Sequence, residues 1–314
     1  MQEDNAKKIT YGAMMIAFFA ILLAISFYIP VLGTITMFYI PLPLILYRIR
    51  NDRASSILIM FTGIVLSLLI GGIYLVPFAV VFGILGIVIG DTIKLRKTKL
   101  YTFMASGLTI LIISVIMYVG AVLFLKFNFI EEIMRIMQVA RQDVLAFFET
   151  YGGELPANFK EQLDASIAFY QAAIPSVFII GVFSFAFIFV SLNMHAVQRL
   201  GNNVVKFPPF REMKLPMITV WYYLLVLLAG FLFEMEQGSN ANLIYVNASI
   251  VLRFLFFLQG ISFIHYFMNE KKLPRWLAFI ATIFALILHP ITIIIGILDS
   301  GIGIRTWIKK DKTK

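Results

Sequence analysis

Residues 7–33 read KKITYGAMMIAFFAILLAISFYIPVLG, and residues 34–53 continue TITMFYIPLPLILYRIRNDR. Between Lys8 and Arg48 there is no charged side chain. An α-helix needs about 20 apolar residues to cross the ~30 Å hydrocarbon core of a bilayer. The run therefore holds two crossings, divided at Pro30-Val-Leu-Gly33. The second contains Pro41 and Pro43 and is expected to be short, tilted or kinked, because each proline removes a backbone donor that neighbours must compensate. The stretch ends in a basic turn with Arg48, Arg50 and Arg53.

The same grammar repeats along the chain. Further apolar runs lie at 55–70, 73–89, 101–125, 174–197, 215–233 and 243–267. The paired glycines Gly71-Gly72 join two of them as a hairpin. The expected fold class is an all-α polytopic transmembrane bundle of about eight to ten membrane segments. Of 314 residues, 61% are hydrophobic and 14% charged. Soluble domains carry roughly 25% charged residues. The net charge of +9 is carried in short turns between apolar runs, which suits cytoplasmic loops facing anionic lipid and not nucleic acid. The lipid bilayer is thus the first expected partner. With no cysteine, disulfides, thiolate zinc sites, iron–sulfur clusters and a lipoprotein-type anchor are excluded. The first apolar run lacks a small-residue cleavage site and is expected to be retained as a span.

Lysines and arginines fall in every second connection. They are Lys7-Lys8, then Arg48/Arg50/Arg53, Lys94/Arg96/Lys97/Lys99, Arg199/Lys206/Arg211/Lys214 and Lys271/Lys272/Arg275. The alternate connections, at Gly33, Gly71-Gly72 and Gln237-Gly-Ser-Asn240, carry none. The positive-inside rule then puts the N-terminus in the cytoplasm of a multi-pass cell-membrane protein. The last apolar region, 276–308, is interrupted by His289-Pro290, and proline disfavours helical geometry in the residue before it. A broken or hairpin segment is expected, 276–288 then 291–307, returning the tail with Lys309, Lys310, Lys312 and Lys314 to the cytoplasm.

One long polar interruption divides the chain into 1–125, an extracytoplasmic hairpin 126–173, and a C-terminal membrane half 174–314. Asn128 with Glu131 fits a helix cap. Ile133, Met134, Met137, Val144, Leu145 and Phe148 follow at near-helical spacing. Gly152-Gly153 is expected to break that helix, and Pro156 to start a second one bearing Phe159, Leu163, Ile167 and Tyr170. An amphipathic pair on the outer leaflet follows, either lining an entrance or shielding helix ends.

Arg253 is the most informative polar residue, near the middle of the 243–267 run. An arginine at mid-membrane costs at least ~2.5 kcal/mol on insertion scales, so it should face the bundle interior or a water-filled cavity. A guanidinium there grips a carboxylate or phosphate in a fork, or pairs with Glu234 or Glu236 to fix helix register. Asn247, Gln259 and Glu234 complete the candidate ligand set. Asn193, His195, His265 and His289 are scattered and make no metal pattern, so packing and end-capping are the expected roles. Asp91 is expected at a solvated helix end, and Asp299 with Arg305 as a pair folding the final turn.

Ala13-xxx-Ala17 and Ala20-xxx-Ala24 give two close-packing steps on the first helix, suited to a neighbouring helix of this chain or of a partner. Gly83, Gly86 and Gly90 raise the same question on the fourth. No His-Glu-x-x-His helix and no Gly-rich phosphate loop ending in Lys-Ser/Thr are present. Gly90-Asp91 lacks the companions of an intramembrane aspartic protease motif, and Glu131-Glu132-x-x-Arg135 is one residue short of a paired-glutamate protease motif. No catalytic residue, metal or cofactor is expected, and no enzyme.

The alanine-rich first helix, the break at 30–33, the proline-marked short helix with its basic turn, the Gly71-Gly72 hairpin and the glycine-spaced fourth helix resemble the start of the substrate-binding (S) components of energy-coupling factor transporters. The whole chain, including Gly296-x-x-Asp299 with Arg305 following, resembles more closely the YybS-like family (DUF2232). The resemblance implies a membrane subunit that binds a small molecule. It also implies that Ala13, Ala17, Ala20 and Ala24 contact a transmembrane coupling protein driven by separate ATPases. The chain departs from S components in having more helices and an outside hairpin. A membrane scaffold with no transported ligand is the alternative.

Overall fold

The computed structural model describes residues 2–152, 158–204 and 209–306. Gly153, Pro156, Lys206 and the tail from Trp307, on which several sequence expectations fall, lie outside the described residues. Helices follow in order: α1 (Gln2–Tyr28), α2 (Pro30–Thr36), α3 (Leu42–Arg50), α4 (Arg53–Gly71), α5 (Val76–Lys94), α6 (Lys99–Leu125), α7 (Phe129–Phe147), α8 (Phe159–Arg199), α9 (Ile218–Leu232), α10 (Asn240–Glu270), α11 (Arg275–Ile287) and α12 (His289–Gly301). No strand occurs among the described residues. The protein is an all-α integral membrane protein with seven described helices, or helix pairs, long and apolar enough to cross a bilayer.

Local chemistry sets the helix ends. Asp52 caps α4 by accepting from the Ser55 backbone N–H at 2.9 Å. Lys8 donates to the same carboxylate at 2.5 Å. Lys8, then the Ser55 N–H, holds the Asp52 carboxyl well below the usual carboxylate range. Thr98 and Ser239 cap α6 and α10 in the same way. Gly72, at φ 62°, makes the expected turn after α4. The break expected at 30–33 falls one residue earlier, at the extended Ile29 after α1; Pro30 opens α2 in its first turn, where its missing N–H is no loss. The α2–α3 segment is thereby long enough to span, at 21 residues, with a 3₁₀ turn at Met37–Tyr39 in its middle.

The chain forms two compact units. The first comprises Met1–Ile130 with Gly181–Phe207. α3 lies among α1, α4 and α5, and its residues Leu42 to Tyr47 are all buried. Such burial needs close backbone approach. A Cβ at Gly86 would stand 2.8 Å from the Pro41 carbonyl oxygen, and one at Gly90 would meet the Arg48 side chain at 2.7 Å. The glycines of α5 thus serve internal packing. Asn193 on α8 donates to the Phe38 carbonyl at 2.8 Å, satisfying a backbone group beside the 3₁₀ break. Asp91 is not solvated, as its place at a helix end suggested. It is 7% exposed, with Arg48 Nε 2.5 Å from Oδ1 and Arg53 bonded to Oδ2. On α1, Met15, Phe19, Leu22 and Leu23 point inward, Ala20 and Ala24 are half-buried, and Ala13 and Ala17 are exposed.

The second unit comprises Glu131–Ile180 with Pro208–Lys314. The units do not follow the division at 126 and 174. The hairpin's second helix does not stop before the membrane: α8 runs on for 41 residues, shared between units at 180/181. Asn128 accepts from the Ile130 N–H at 3.1 Å at the start of α7. Arg141 on α7 pairs with Asp164 on α8 at 2.5 Å, and Phe148 meets Phe159 with ring centroids 4.9 Å apart. α9 is 15 residues, too short to cross perpendicular to the membrane by itself. α11 and α12 meet at 107° across Leu288, the break expected at His289-Pro290; the second piece starts at His289 because Pro290 again fits a first turn.

Candidate functional site

α10 carries Ile250, Arg253, Phe254 and Phe257 at the i, i+3, i+4, i+7 spacing of one helical face. α12 carries Pro290, Ile293, Ile294 and Ile297 at the same spacing. The two faces, with Tyr223, Leu286 and His289, line an open groove of about 670 Å³. Among the described residues, Arg253 and His289 are its only cationic or titrating nitrogen groups, and no carboxylate lines it. Arg253 is exposed and forms no ion pair with a described residue. Glu234 and Glu236, both exposed, do not reach it.

The helices that form this groove are locked by two glycines. A Cβ at Gly260 would fall 2.0 Å from the Thr292 carbonyl oxygen, and one at Gly296 would fall 1.9 Å from that of Phe256. The crossing of α10 with α12 is therefore set by backbone-to-backbone contact, for which only glycine has room.

Beside the crossing lies a second arginine with the opposite character. Arg305 Nε donates to Asp299 at 2.9 Å, Nη2 to Ser262 at 3.1 Å, and Nη1 to the Arg211 carbonyl at 2.7 Å. Its guanidinium stands 5.0 Å from the Tyr266 ring centroid. Asp299, wholly buried, also accepts from Gln259 Nε2 at 2.5 Å. Gln259 accepts in turn from the Leu215 N–H at 3.0 Å, and Ser262 donates to the Phe210 and Met213 carbonyls at 2.8 and 3.0 Å. This network joins α10, α12, residue 305 and the strand-free segment 210–215. Its members are engaged with one another, so it holds shape and offers no free group to a ligand.

Asn247 and Gln259 are likewise spoken for. Asn247 Oδ1 accepts from the Ser176 N–H at 2.8 Å, while Nδ2 donates to the Ala172 carbonyl at 2.8 Å and that of Leu243 at 2.7 Å. These bonds serve the turn of α8 that holds Pro175. Of the four sequence-proposed ligand contacts, only Arg253 faces the groove. His289 joins it there, which its spacing in the chain did not indicate; its neighbour Pro290, the helix breaker, was the available signal. His265 lies elsewhere, its Nε2 2.7 Å from the Thr282 hydroxyl. Among the described residues no group of His, Asp and Glu could hold a metal ion.

Fold and site together define a polytopic α-helical membrane protein with a cation-bearing groove between α10 and the broken pair α11–α12. The chain belongs to the family described as "Predicted membrane protein (DUF2232)", whose model matches residues 17–300. It is similar to the uncharacterized protein YybS of Bacillus subtilis (strain 168), with 29% identity over 305 residues, covering 95% of this chain and 97% of that one. No solved structure matches it.

Proposed function

We propose that this protein is a membrane-embedded binding subunit for a small anionic molecule, acting in transport in the manner of an energy-coupling factor S component. Arg253 carries the reading: a guanidinium near mid-span, exposed to an apolar groove, with no carboxylate of the described residues beside it. Leaving such a group without a counter-charge is costly in a bilayer, and an oxyanion would supply the missing partner in a two-pronged contact. The groove's size falls within the ~300–1,000 Å³ usual for small-molecule sites. Binding and release, without covalent chemistry, is the proposed activity.

The exposed Ala13 and Ala17 support docking of α1 on a transmembrane coupling protein, because small residues let a second helix approach closely. The same face would equally serve a scaffold, the second reading. The proposed layout in the cell membrane has the N-terminus and the basic turns in the cytoplasm. Thermal stabilisation of the purified protein by a panel of carboxylates and phosphates tests the reading. A rise in melting temperature that Arg253→Met abolishes, with its ligand-free melting temperature unchanged, is expected. No rise with any anion, alongside stable co-purification of a partner, would favour the scaffold.

A further inference from the structure

The groove at Arg253 also bears on the kind of anion it would take. We infer that it receives a single-chain amphiphile, an oxyanion head on a long hydrocarbon tail, drawn sideways from the bilayer; this rests on the anion-site reading above. Three observations carry it. First, the wall is hydrocarbon: apart from Arg253, His289 and the Tyr223 hydroxyl, it consists of Ile250, Phe254, Phe257, Leu286, Pro290 and three isoleucines of α12. A small hydrophilic anion would find one cation and little else to satisfy its remaining polar atoms, and unmet polar atoms in an apolar site are costly. Second, the wall residues Leu286 and Ile294 are 56% and 55% exposed, on helices apolar enough to sit in lipid. The groove therefore opens where acyl chains lie. Third, a neighbouring groove of about 410 Å³, formed by Ile264 of α10 and by Phe284, Ile291, Ile295 and others of α11 and α12, is lined by apolar side chains and Thr292, with no charged side chain among the described residues. The Arg253 groove differs from it by the head-binding cation, not by the greasy wall.

The roles follow from the chemistry. Arg253 presents a planar fork that matches the paired oxygens of a carboxylate or phosphate. His289, at the corner between α11 and α12, is the other nitrogen-bearing side chain able to donate to the head. The tail lies along the isoleucine face of α12. A carboxylate and a phosphate head share this recognition, so both are tested.

The experiment uses the full-length protein in nanodiscs of neutral phosphatidylcholine, with photoactivatable palmitate and photoactivatable hexadecyl phosphate as separate probes. Cross-links are located by peptide mass spectrometry. Labelling concentrated on α10 residues 250–257 and α12 residues 290–297, competed by unlabelled palmitate or hexadecyl phosphate but not by hexadecanol, supports the inference. Whichever probe labels names the head. Arg253→Gln should lower labelling at least tenfold and Arg253→Lys should restore part of it, with the melting temperature of each variant as the check on folding. Equal competition by hexadecanol would overturn the inference, because the head would not be read. Competition by butyrate or inorganic phosphate at the potency of their long-chain counterparts would overturn the amphiphile but leave an anion site at Arg253. Labelling unchanged in Arg253→Gln would overturn both.

Discussion

Asn247 is wired to the backbone of Ser176: its Oδ1 accepts the Ser176 N–H at 2.8 Å, and its Nδ2 donates to the Ala172 carbonyl, the helical partner four residues earlier, also at 2.8 Å. The Pro175 ring crowds this turn of the helix, and in a membrane backbone groups parted there cannot turn to water. One side-chain amide meets both needs.

Replacing Asn247 with Leu should therefore lower stability by about 2 kcal/mol, the cost of leaving buried backbone groups unmet. Thermal unfolding in a neutral detergent measures it. Adding Pro175→Ala, which relieves the crowding so that the Ser176 N–H can bond the Ala172 carbonyl directly, should recover part of the loss. Strictly additive losses in the double variant would show that the two residues are uncoupled.

Gly296 faces a backbone oxygen, not a flexible side chain that could swing aside. Gly296→Ala should lose about 1–3 kcal/mol or more through overpacking. Gly120→Ala is the control. Nothing lies within 4 Å of a Cβ there, and alanine is the better helix former by about 1 kcal/mol. That variant should melt at or above the unsubstituted protein.

Asp91 is buried against Arg48 and Arg53. Asp91→Asn strands the largely buried Arg48 and should cost about 3–5 kcal/mol. The double change Arg48→Met with Asp91→Leu removes both charges and should recover most of it. Guanidinium-free thermal denaturation of the three proteins reads the comparison.

With no cysteine in the chain, single-cysteine variants report sidedness cleanly. Cysteines placed at Lys97 and Lys271 should react with a membrane-impermeant maleimide only after the inner face is opened. Cysteines at Lys126 and Gln237 should react in intact cells. Labelling of all four from the same side would contradict the alternating layout.

The membrane class was legible because helix length and hydropathy are local properties, as in the uncharged run from Ile9 to Tyr47. The break at His289-Pro290 was legible for the same reason, since proline acts on its own backbone. What escaped the sequence was pairing across distance. Asp91 looked solvated because its partners Arg48 and Arg53 lie about 40 residues back, beyond the turn between α4 and α5. Asn247 and Gln259 looked like ligand contacts because an amide in an apolar run is conspicuous. Only the fold shows Asn247 serving the Pro175 turn and Gln259 held by Asp299. The pair of Asp299 with Arg305, six residues apart, stayed within reach of reading, but its links to Ser262 and the Arg211 carbonyl did not.

The most direct test is a cryo-electron microscopy map of the protein extracted from its native membrane. The account predicts non-protein density in the groove between α10 and α12, with a head within hydrogen-bonding distance of the Arg253 guanidinium. A map in which Arg253 is instead clasped by a carboxylate of the protein itself, with the groove closed by side chains, would contradict it.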